Sequence, residues 1–179
     1  MRIPLRLWVP NRWYFPVKVL DRQAIICYTT RMENKKAFVF DLDGTLFETT
    51  AREREGAERF IEFSDAHALL SSSQPKPLLA LARQVKAEGH QVYILTARNS
   101  IIAPAIRRLL SEHGVDAEFV YCVGDLGVDI PAYKQEILAE IDRTHTRTYF
   151  YDDEEPNLIL ARKIGVKAYD PKGYDDVPF

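Results

Sequence analysis

The stretch at residues 37–45 reads AFVFDLDGT, an apolar run that stops at two carboxylates one residue apart. Side chains two apart on an extended chain point to the same side. Asp41 and Asp43 are therefore expected to converge at the carboxyl end of a strand, where open α/β sheets place their ligands. Two acids held so close are costly unless a cation or a shared proton relieves them. The stretch therefore predicts one strand of an α/β sheet and a site of chemistry at its end.

Length and composition favour a single domain with a normal core, since the chain has 179 residues of which 46% are hydrophobic. The formal net charge of −2 predicts no strong overall affinity for nucleic acid or membrane. No apolar stretch approaches the length of a membrane span, and the N-terminus lacks the uninterrupted apolar core of a signal peptide. The two cysteines, Cys27 and Cys122, form no C-x-x-C pair. We therefore expect a cytoplasmic protein without a membrane partner.

Residues 1–31 form a basic, aromatic N-terminal extension. They carry six basic residues against one acid, a formal charge of +5, which leaves −7 for residues 32–179. Trp8, Trp13 and Phe15 lie among the arginines. Basic residues interleaved with aromatic ones can bind single-stranded nucleic acid. A β-hairpin packed on the domain and a dispensable extension are the alternatives. Residues 32–179 are expected to form the functional domain.

From residue 36 onward, strand patterns alternate with helix patterns. Buried strands are predicted by five short runs rich in Val, Ile, Tyr and Phe: Lys36–Asp41, Gln91–Leu95, Ala117–Tyr121, Arg147–Tyr151 and Val166–Tyr169. Helical patterns cover four segments: Pro77–Glu88, Ile101–His113, Ala132–Asp142 and Pro156–Ile164. A glycine follows three of them as the expected left-handed stop: Gly89, Gly114 and Gly165. The alternation predicts an α/β fold, a doubly wound three-layer sandwich with a mainly parallel sheet.

Residues 47–74 do not fit this alternation. They contain a charged stretch, Arg52–Leu70, that is predicted to be helical, and then three serines. Because the segment directly follows the end of the first strand, we expect it to form a flap over the site. The other connections between strands leave no room for a large cap domain.

Further polar residues are expected at the same edge of the sheet. The second predicted strand ends in Thr96-Ala97-Arg98, and a hydroxyl with a guanidinium suits a tetrahedral oxyanion. Lys134 lies near the start of a predicted helix, and the fourth strand ends in Asp152 and Asp153. Because parallel strands place their carboxyl ends at one edge, these groups are expected to gather beside the first acidic pair.

The sequence argues against two other sites that use similar residues. A calcium-binding EF-hand loop starting at Asp41 would need glycine at its sixth position and glutamate at its twelfth, where this chain has Leu46 and Arg52. The chain contains no Gly-Lys pair, which excludes the phosphate-binding loop of a nucleotide kinase.

The set of residues resembles the haloacid dehalogenase-like (HAD) superfamily of phosphohydrolases. Its four motifs appear in order: Asp41-x-Asp43-Gly44-Thr45, then Thr96, then Lys134, then Asp152-Asp153. The resemblance covers about residues 36–170 and implies a Rossmann-like core. A bacterial receiver domain also uses acids, a threonine and a lysine, but it would place its acidic pair first, whereas here the pair comes last.

The resemblance implies a role for each motif residue. Asp41 would be the nucleophile that forms an aspartyl-phosphate, and Asp43 would protonate the leaving oxygen and later take a proton from water. Mg²⁺ would be held by Asp41, the backbone carbonyl of Asp43, Asp152 and Asp153. The phosphate of the substrate would be contacted by the remaining motif residues: Gly44, Thr45, Thr96, Arg98 and Lys134.

Within the superfamily, the chain looks most like the 3′-phosphatase domain of bacteriophage-type polynucleotide kinases. The likeness lies in four segments: residues 40–46, residues 96–98, Gly124-Asp125 ahead of residues 134–137, and residues 151–153. That family often carries basic residues after the Gly-Asp pair, where this chain has Leu126-Gly127-Val128-Asp129. The resemblance implies a magnesium-dependent phosphomonoesterase with nucleic-acid 3′-phosphate ends as one candidate substrate. A nucleotide or other small phosphomonoester is the alternative substrate, and a catalytically silent module that binds phosphate ends is the non-enzymatic alternative.

Overall fold

The computed structural model describes residues 35–50, 61, 63–124 and 129–174 of the chain. The predicted N-terminal extension at residues 1–31 lies outside these ranges, as do residues 51–60 of the predicted flap and residues 125–128. Within the described residues, no helix is both long and apolar enough to cross a membrane.

Five strands form one parallel sheet, as the sequence predicted. They are β1 (Lys36–Phe40), β4 (Gln91–Thr96), β5 (Phe119–Cys122), β6 (Arg147–Tyr151) and β7 (Lys167–Tyr169), and two short strands, β2 (Phe47–Glu48) and β3 (Gln74–Pro75), pair separately. The order in the sheet is β5-β4-β1-β6-β7. The chain therefore runs outward from β1 in one direction and then returns to build the other half, so β1 lies at the switch point where such sheets bind ligands.

Helices cover both faces of the sheet, which confirms the three-layer α/β sandwich. The described helices are α1 (Ala66–Ser72), α2 (Leu78–Ala87), α3 (Ala103–Glu112), α4 (Ile130–Asp142) and α5 (Glu155–Lys163). Phe38 and Phe40 of β1 belong to the buried cluster under α2 and α3. The intervening Val39 belongs to the cluster under α4 and α5. Alternate side chains of one strand thus fill both cores, which explains its continuous apolar sequence.

The ends of several elements follow from local chemistry that the periodicity alone did not reveal. The predicted helix from Ile101 divides into a 3₁₀ turn, Ser100–Ile102, and α3, because the Asn99 side chain accepts a hydrogen bond from the Ile101 amide and proline follows in the first turn of α3. Helix α4 begins two residues earlier than predicted, since Asp129 caps it by accepting from the Ala132 amide. The predicted stops at Gly89, Gly114 and Gly165 are confirmed by φ angles of 86°, 73° and 87°.

The insertion at residues 47–74 is closed at its base by β2 and β3, which pair in antiparallel register Phe47↔Pro75 and Glu48↔Gln74. Helix α1 lies between them in sequence and is capped by Asp65, whose carboxylate accepts from the amides of His67 and Ala68. Within the described residues, the insertion contains no second domain and no large cap.

Candidate active site

The carboxyl ends of β1 and β6 place Asp41 and Asp152 side by side. Phe40 pairs with Tyr151 in the sheet, and the ladder continues one residue further, because the Asp41 amide donates to the Tyr151 carbonyl at 2.8 Å. The Asp152 amide likewise donates to the carbonyl of Tyr169 at 3.3 Å. Backbone bonds therefore fix both acids at the edge of the sheet before any side-chain contact is considered.

Lys134 joins these two acids. Its Nζ donates to Asp41 Oδ1 and to Asp152 Oδ2, each at 2.7 Å, and its side chain is only 2% exposed. The residue comes from the second turn of α4, whose start is set by the Asp129 cap. Burial by itself would lower the pKa of Lys134, but the charges of Asp152 and Asp41 and their hydrogen bonds outweigh burial and raise it above its usual value. The ammonium is therefore held in its charged form between two carboxylates.

Asp41 lies in a strongly negative environment. Burial raises the pKa of its carboxyl well above the usual value, and the charges of Asp152, Asp43 and Asp153 raise it further, while Lys134 acts in the opposite direction. A buried carboxyl surrounded by like charges is costly to ionise, and a bound divalent cation would relieve that cost.

Asp43 has different partners from Asp41. Arg98 donates to it through Nη2 (2.7 Å to Oδ1) and Nε (2.9 Å to Oδ2 and 3.2 Å to Oδ1), and Thr49 Oγ1 donates to Oδ1 at 2.5 Å. Arg98 is 1% exposed and Asp43 is 7% exposed. The two acids of the first motif are thus each paired with a separate buried cation.

The turn after β4 holds Arg98 in place. The Arg98 amide donates to Thr96 Oγ1 at 3.2 Å, and the Gly124 amide donates to the Arg98 carbonyl at 3.1 Å. A Cβ on Gly124 would lie 1.7 Å from the carbonyl oxygen of Ala97, so only glycine allows the two backbones to approach this closely. The Phe63 ring lies against the guanidinium, with its centroid 5.1 Å from Cζ.

The second acidic pair is supported by α5. Asn157 Nδ2 donates to both carboxylate oxygens of Asp152 at 2.9 and 3.0 Å, and the Glu154 amide donates to Oδ1 at 2.9 Å. These bonds make Asn157 a buttress of the acidic loop. Asp153 lies beside Thr45, whose Oγ1 donates to its Oδ1 at 3.4 Å.

Gly44 and Thr45 belong to the turn that leaves β1. Gly44 has a φ of 81°, a conformation that glycine adopts without strain, and its amide donates to the Phe47 carbonyl at 2.6 Å. Thr45 is fully buried. The Gly44 amide thus closes the turn, so what this residue contributes to the site is the chain reversal that brings Thr45 beside Asp153.

The donor set fits a magnesium ion. Asp41, Asp43, Asp152 and Asp153 supply four carboxylates against the two cations Lys134 and Arg98, which leaves two formal negative charges. In the described part of the chain, no three His, Cys, Asp or Glu side chains form a ready-made metal cluster. Magnesium often binds through one or two carboxylates and completes its octahedron with water and substrate phosphate, and the carboxylates at this edge suit that mode.

The structure thus brings the predicted residues of the four motifs together at one edge of the sheet. Three contributors were not identified from sequence: Thr49, Phe63 and the backbone of Gly124. A lone threonine or phenylalanine has no spacing signal that marks it. Gly124 was noted only as part of a likeness to a family, although a glycine beside a strand end can signal a close approach of two backbones.

Comparison with known proteins gives a structural likeness only. The scan against protein-family models gave no match, and neither did the search of curated proteins. Among solved structures, a chain of the Pnkp1/Rnl/Hen1 RNA repair complex is similar with a TM-score of 0.62 at 18% identity, over 76% of this chain and 42% of that one. This chain therefore spans less than half of the length of that relative.

Enzymes of the HAD family are similar over nearly their whole length. A HAD family enzyme from Bacteroides thetaiotaomicron matches with a TM-score of 0.54 at 18% identity, over 80% of this chain and 97% of that one. The same enzyme in complex with magnesium and inorganic phosphate matches with a TM-score of 0.50 at 18% identity, over 76% and 94% of the two chains. At such identities the likeness establishes the fold, which is the HAD-like α/β fold that the sequence predicted.

Proposed function

We propose that this protein is a magnesium-dependent phosphomonoester hydrolase that uses Asp41 as its nucleophile. The observation that carries the proposal is the separate pairing of the two motif acids, Asp41 with Lys134 and Asp43 with Arg98. A module that only binds phosphate has no need of a second buried acid beside the first. A phosphatase needs one carboxylate for attack and another for proton transfer.

In the first step an Asp41 oxygen attacks phosphorus, the bond from phosphorus to the leaving oxygen breaks, and Asp43 gives that oxygen a proton. In the second step water attacks the aspartyl-phosphate, Asp43 takes the proton of the water, and the bond from phosphorus to Asp41 breaks. Both carboxyl groups return to their starting states and inorganic phosphate leaves. Asp43 thus serves as acid and then as base.

The phosphoryl oxygens would be held by Lys134 and Thr96. The Lys134 ammonium is already aligned on Asp41 and neutralises charge where phosphorus would be attacked. The Thr96 hydroxyl accepts from the Arg98 amide, which leaves its own hydrogen for a phosphoryl oxygen. Magnesium would be held by Asp41, the Asp43 carbonyl and Asp152, beside Asp153, and when bound it would neutralise phosphoryl charge as a Lewis acid.

Hydrolysis of an aryl phosphate tests the activity. We expect turnover that requires magnesium, and we expect Asp41→Asn to lower kcat/KM by roughly 10³-fold or more, the scale of losing a nucleophile. Asp116→Asn is the matched control, because Asp116 is exposed and lies at the opposite edge of the sheet, ahead of β5. Undiminished turnover in Asp41→Asn would contradict the mechanism.

The proposed substrate class is a phosphomonoester at a nucleic-acid 3′ end, supported by the fold likeness to a chain of an RNA repair complex and by an edge of the sheet without a large cap among the described residues. The charge of −7 over residues 32–179 favours a small phosphomonoester instead, because binding to phosphate backbones depends on Lys and Arg contacts. A panel of 3′- and 5′-phosphorylated oligonucleotides, mononucleotides and phosphopeptides separates the two. The same panel run without residues 1–31 tests whether residues 32–179 suffice.

A further inference from the structure

Arg98 is a predicted phosphate ligand whose guanidinium makes three N–H···O contacts with Asp43, the proposed general acid. Nη2 and Nε together contact both oxygens of Asp43 at 2.7–3.2 Å. Such a paired contact fixes the plane of a carboxylate as well as its position. With 1% of its surface exposed, the arginine is part of the interior.

The surroundings of Arg98 maintain this orientation. Its backbone is bonded on both sides, to Thr96 Oγ1 and to the Gly124 amide. The Phe63 ring packs against the guanidinium, so a swing toward solvent would lose both this contact and the ion pair. Arg98 is thus fixed at its backbone and at its guanidinium, and a side chain fixed in this way can orient the neighbouring Asp43 carboxylate.

The contacts also distinguish the two oxygens of Asp43. Among the described residues, Oδ1 accepts from Arg98 Nη2 at 2.7 Å and from Thr49 at 2.5 Å, with a longer contact to Nε, whereas Oδ2 accepts only from Nε, at 2.9 Å. A carboxylate oxygen has about two lone pairs, so Oδ2 keeps one for a further partner. We infer that Arg98 is a positioning residue that presents Asp43 Oδ2 to the leaving oxygen, rather than a ligand of the transferred phosphate. This inference rests on the proposed phosphatase function.

The two roles differ in how they depend on the leaving group. Proton donation matters most when the leaving oxygen is basic, as in an alkyl phosphate, and little when it is acidic, as in p-nitrophenyl phosphate. A phosphate ligand contacts the same phosphoryl oxygens in both substrates, so its loss affects both equally. The value of kcat/KM reports the attack step, in which the leaving group departs.

The experiment measures kcat/KM for both substrates, and inhibition by inorganic phosphate, in the full-length protein with Arg98→Gln. We expect a loss of about 10²-fold with the alkyl phosphate, within the usual contribution of a general acid, and a loss at least ~10-fold smaller with p-nitrophenyl phosphate. The inhibition constant of inorganic phosphate should stay within about 3-fold, because the phosphate ligands remain. The matched control is Arg108→Gln, since Arg108 is an exposed arginine on α3. It should change neither kcat/KM value nor the inhibition constant of inorganic phosphate.

Two further variants keep the test decisive if Arg98→Gln folds poorly. Thr49→Val removes a different bond to Asp43, and Arg98→Lys keeps the charge without the paired contact. In both variants kcat/KM should again fall more for the alkyl phosphate than for p-nitrophenyl phosphate, but by smaller factors than in Arg98→Gln. Equal losses on both substrates, or a weakened inhibition by inorganic phosphate, overturn the positioning role while the phosphatase function stands. A wild-type protein that hydrolyses neither substrate overturns the proposed function and the inference with it.

Discussion

Replacing Lys134 by methionine should destabilise the protein far more than the loss of one surface charge would. Methionine keeps an unbranched side chain of similar length and removes the ammonium that lies 2.7 Å from both Asp41 Oδ1 and Asp152 Oδ2. The lysine is 2% exposed and the Asp152 side chain is fully buried. Two carboxylates would therefore remain buried without their shared cation, and breaking a buried ion pair in this way costs about 3–5 kcal/mol.

Urea unfolding at pH 7 measures the effect. A loss of about 4 kcal/mol with a slope of about 2 kcal/mol/M lowers the urea midpoint by about 2 M. Lys163→Met is the matched control, since Lys163 is exposed in the last turn of α5. The free energy of unfolding of this variant should differ from that of the wild type by no more than about 0.5 kcal/mol.

The deficit of Lys134→Met should depend on pH. Burial already raises the pKa of Asp41, and removing Lys134 removes the cation that opposes this shift. An acid whose pKa is higher in the folded state than in the unfolded state stabilises the fold at low pH and loses that contribution as pH rises through the folded value. The deficit should therefore be largest near pH 7 and shrink toward pH 4. A deficit below about 1 kcal/mol at pH 7, or one equal at both pH values, would refute the reasoning.

Two other substitutions test the supports of the site. Asn157→Ala removes two hydrogen bonds from the buried Asp152 carboxylate and should cost about 1–3 kcal/mol in urea unfolding; a change below about 0.5 kcal/mol contradicts the buttress role. Gly124→Ala forces the backbone at Ala97 to move and should lower kcat/KM by about 10²-fold, the scale of a 1 Å misplacement. Gly173→Ala, where a Cβ meets nothing within 4 Å, is its control, and equal activity in the two variants rules out the close approach as a cause.

The sheet was predictable because a parallel strand that is covered on both faces is apolar throughout. The run in β6 was predicted with the observed ends, Arg147–Tyr151. The start of α3 was not, because it depends on one side-chain bond, from the Ile101 amide to Asn99, and on a proline in the first turn. Periodicity reports which face of a segment is buried, and it contains no information on such caps.

The proximity of the candidate site residues was also predictable, but the pairing among them was not. Strand ends gather at one edge of a parallel sheet, so the sequence order of acids, threonine and lysine was enough to bring them together. Which cation contacts which acid depends on side-chain directions fixed by distant parts of the chain: Arg98 meets Asp43 across 55 positions, and Lys134 meets Asp41 across 93. The expectation that Arg98 contacts phosphate came from its place after a strand, which does not reveal where the guanidinium points.

The acidic pair of β1 could be relieved by a shared proton or by cations, and the contacts favour the second. A shared proton would couple the two acids, so that one could ionise only when the other did not. Each acid instead has its own cation: Lys134 contacts Asp41, while Arg98 and Thr49 hold Asp43. A proposed nucleophile and a proposed general acid, one residue apart, need such separate contacts if each is to be held in its own orientation. The buried lysine and the buried arginine are therefore best understood together, as the means by which two carboxylates one residue apart can have different tasks.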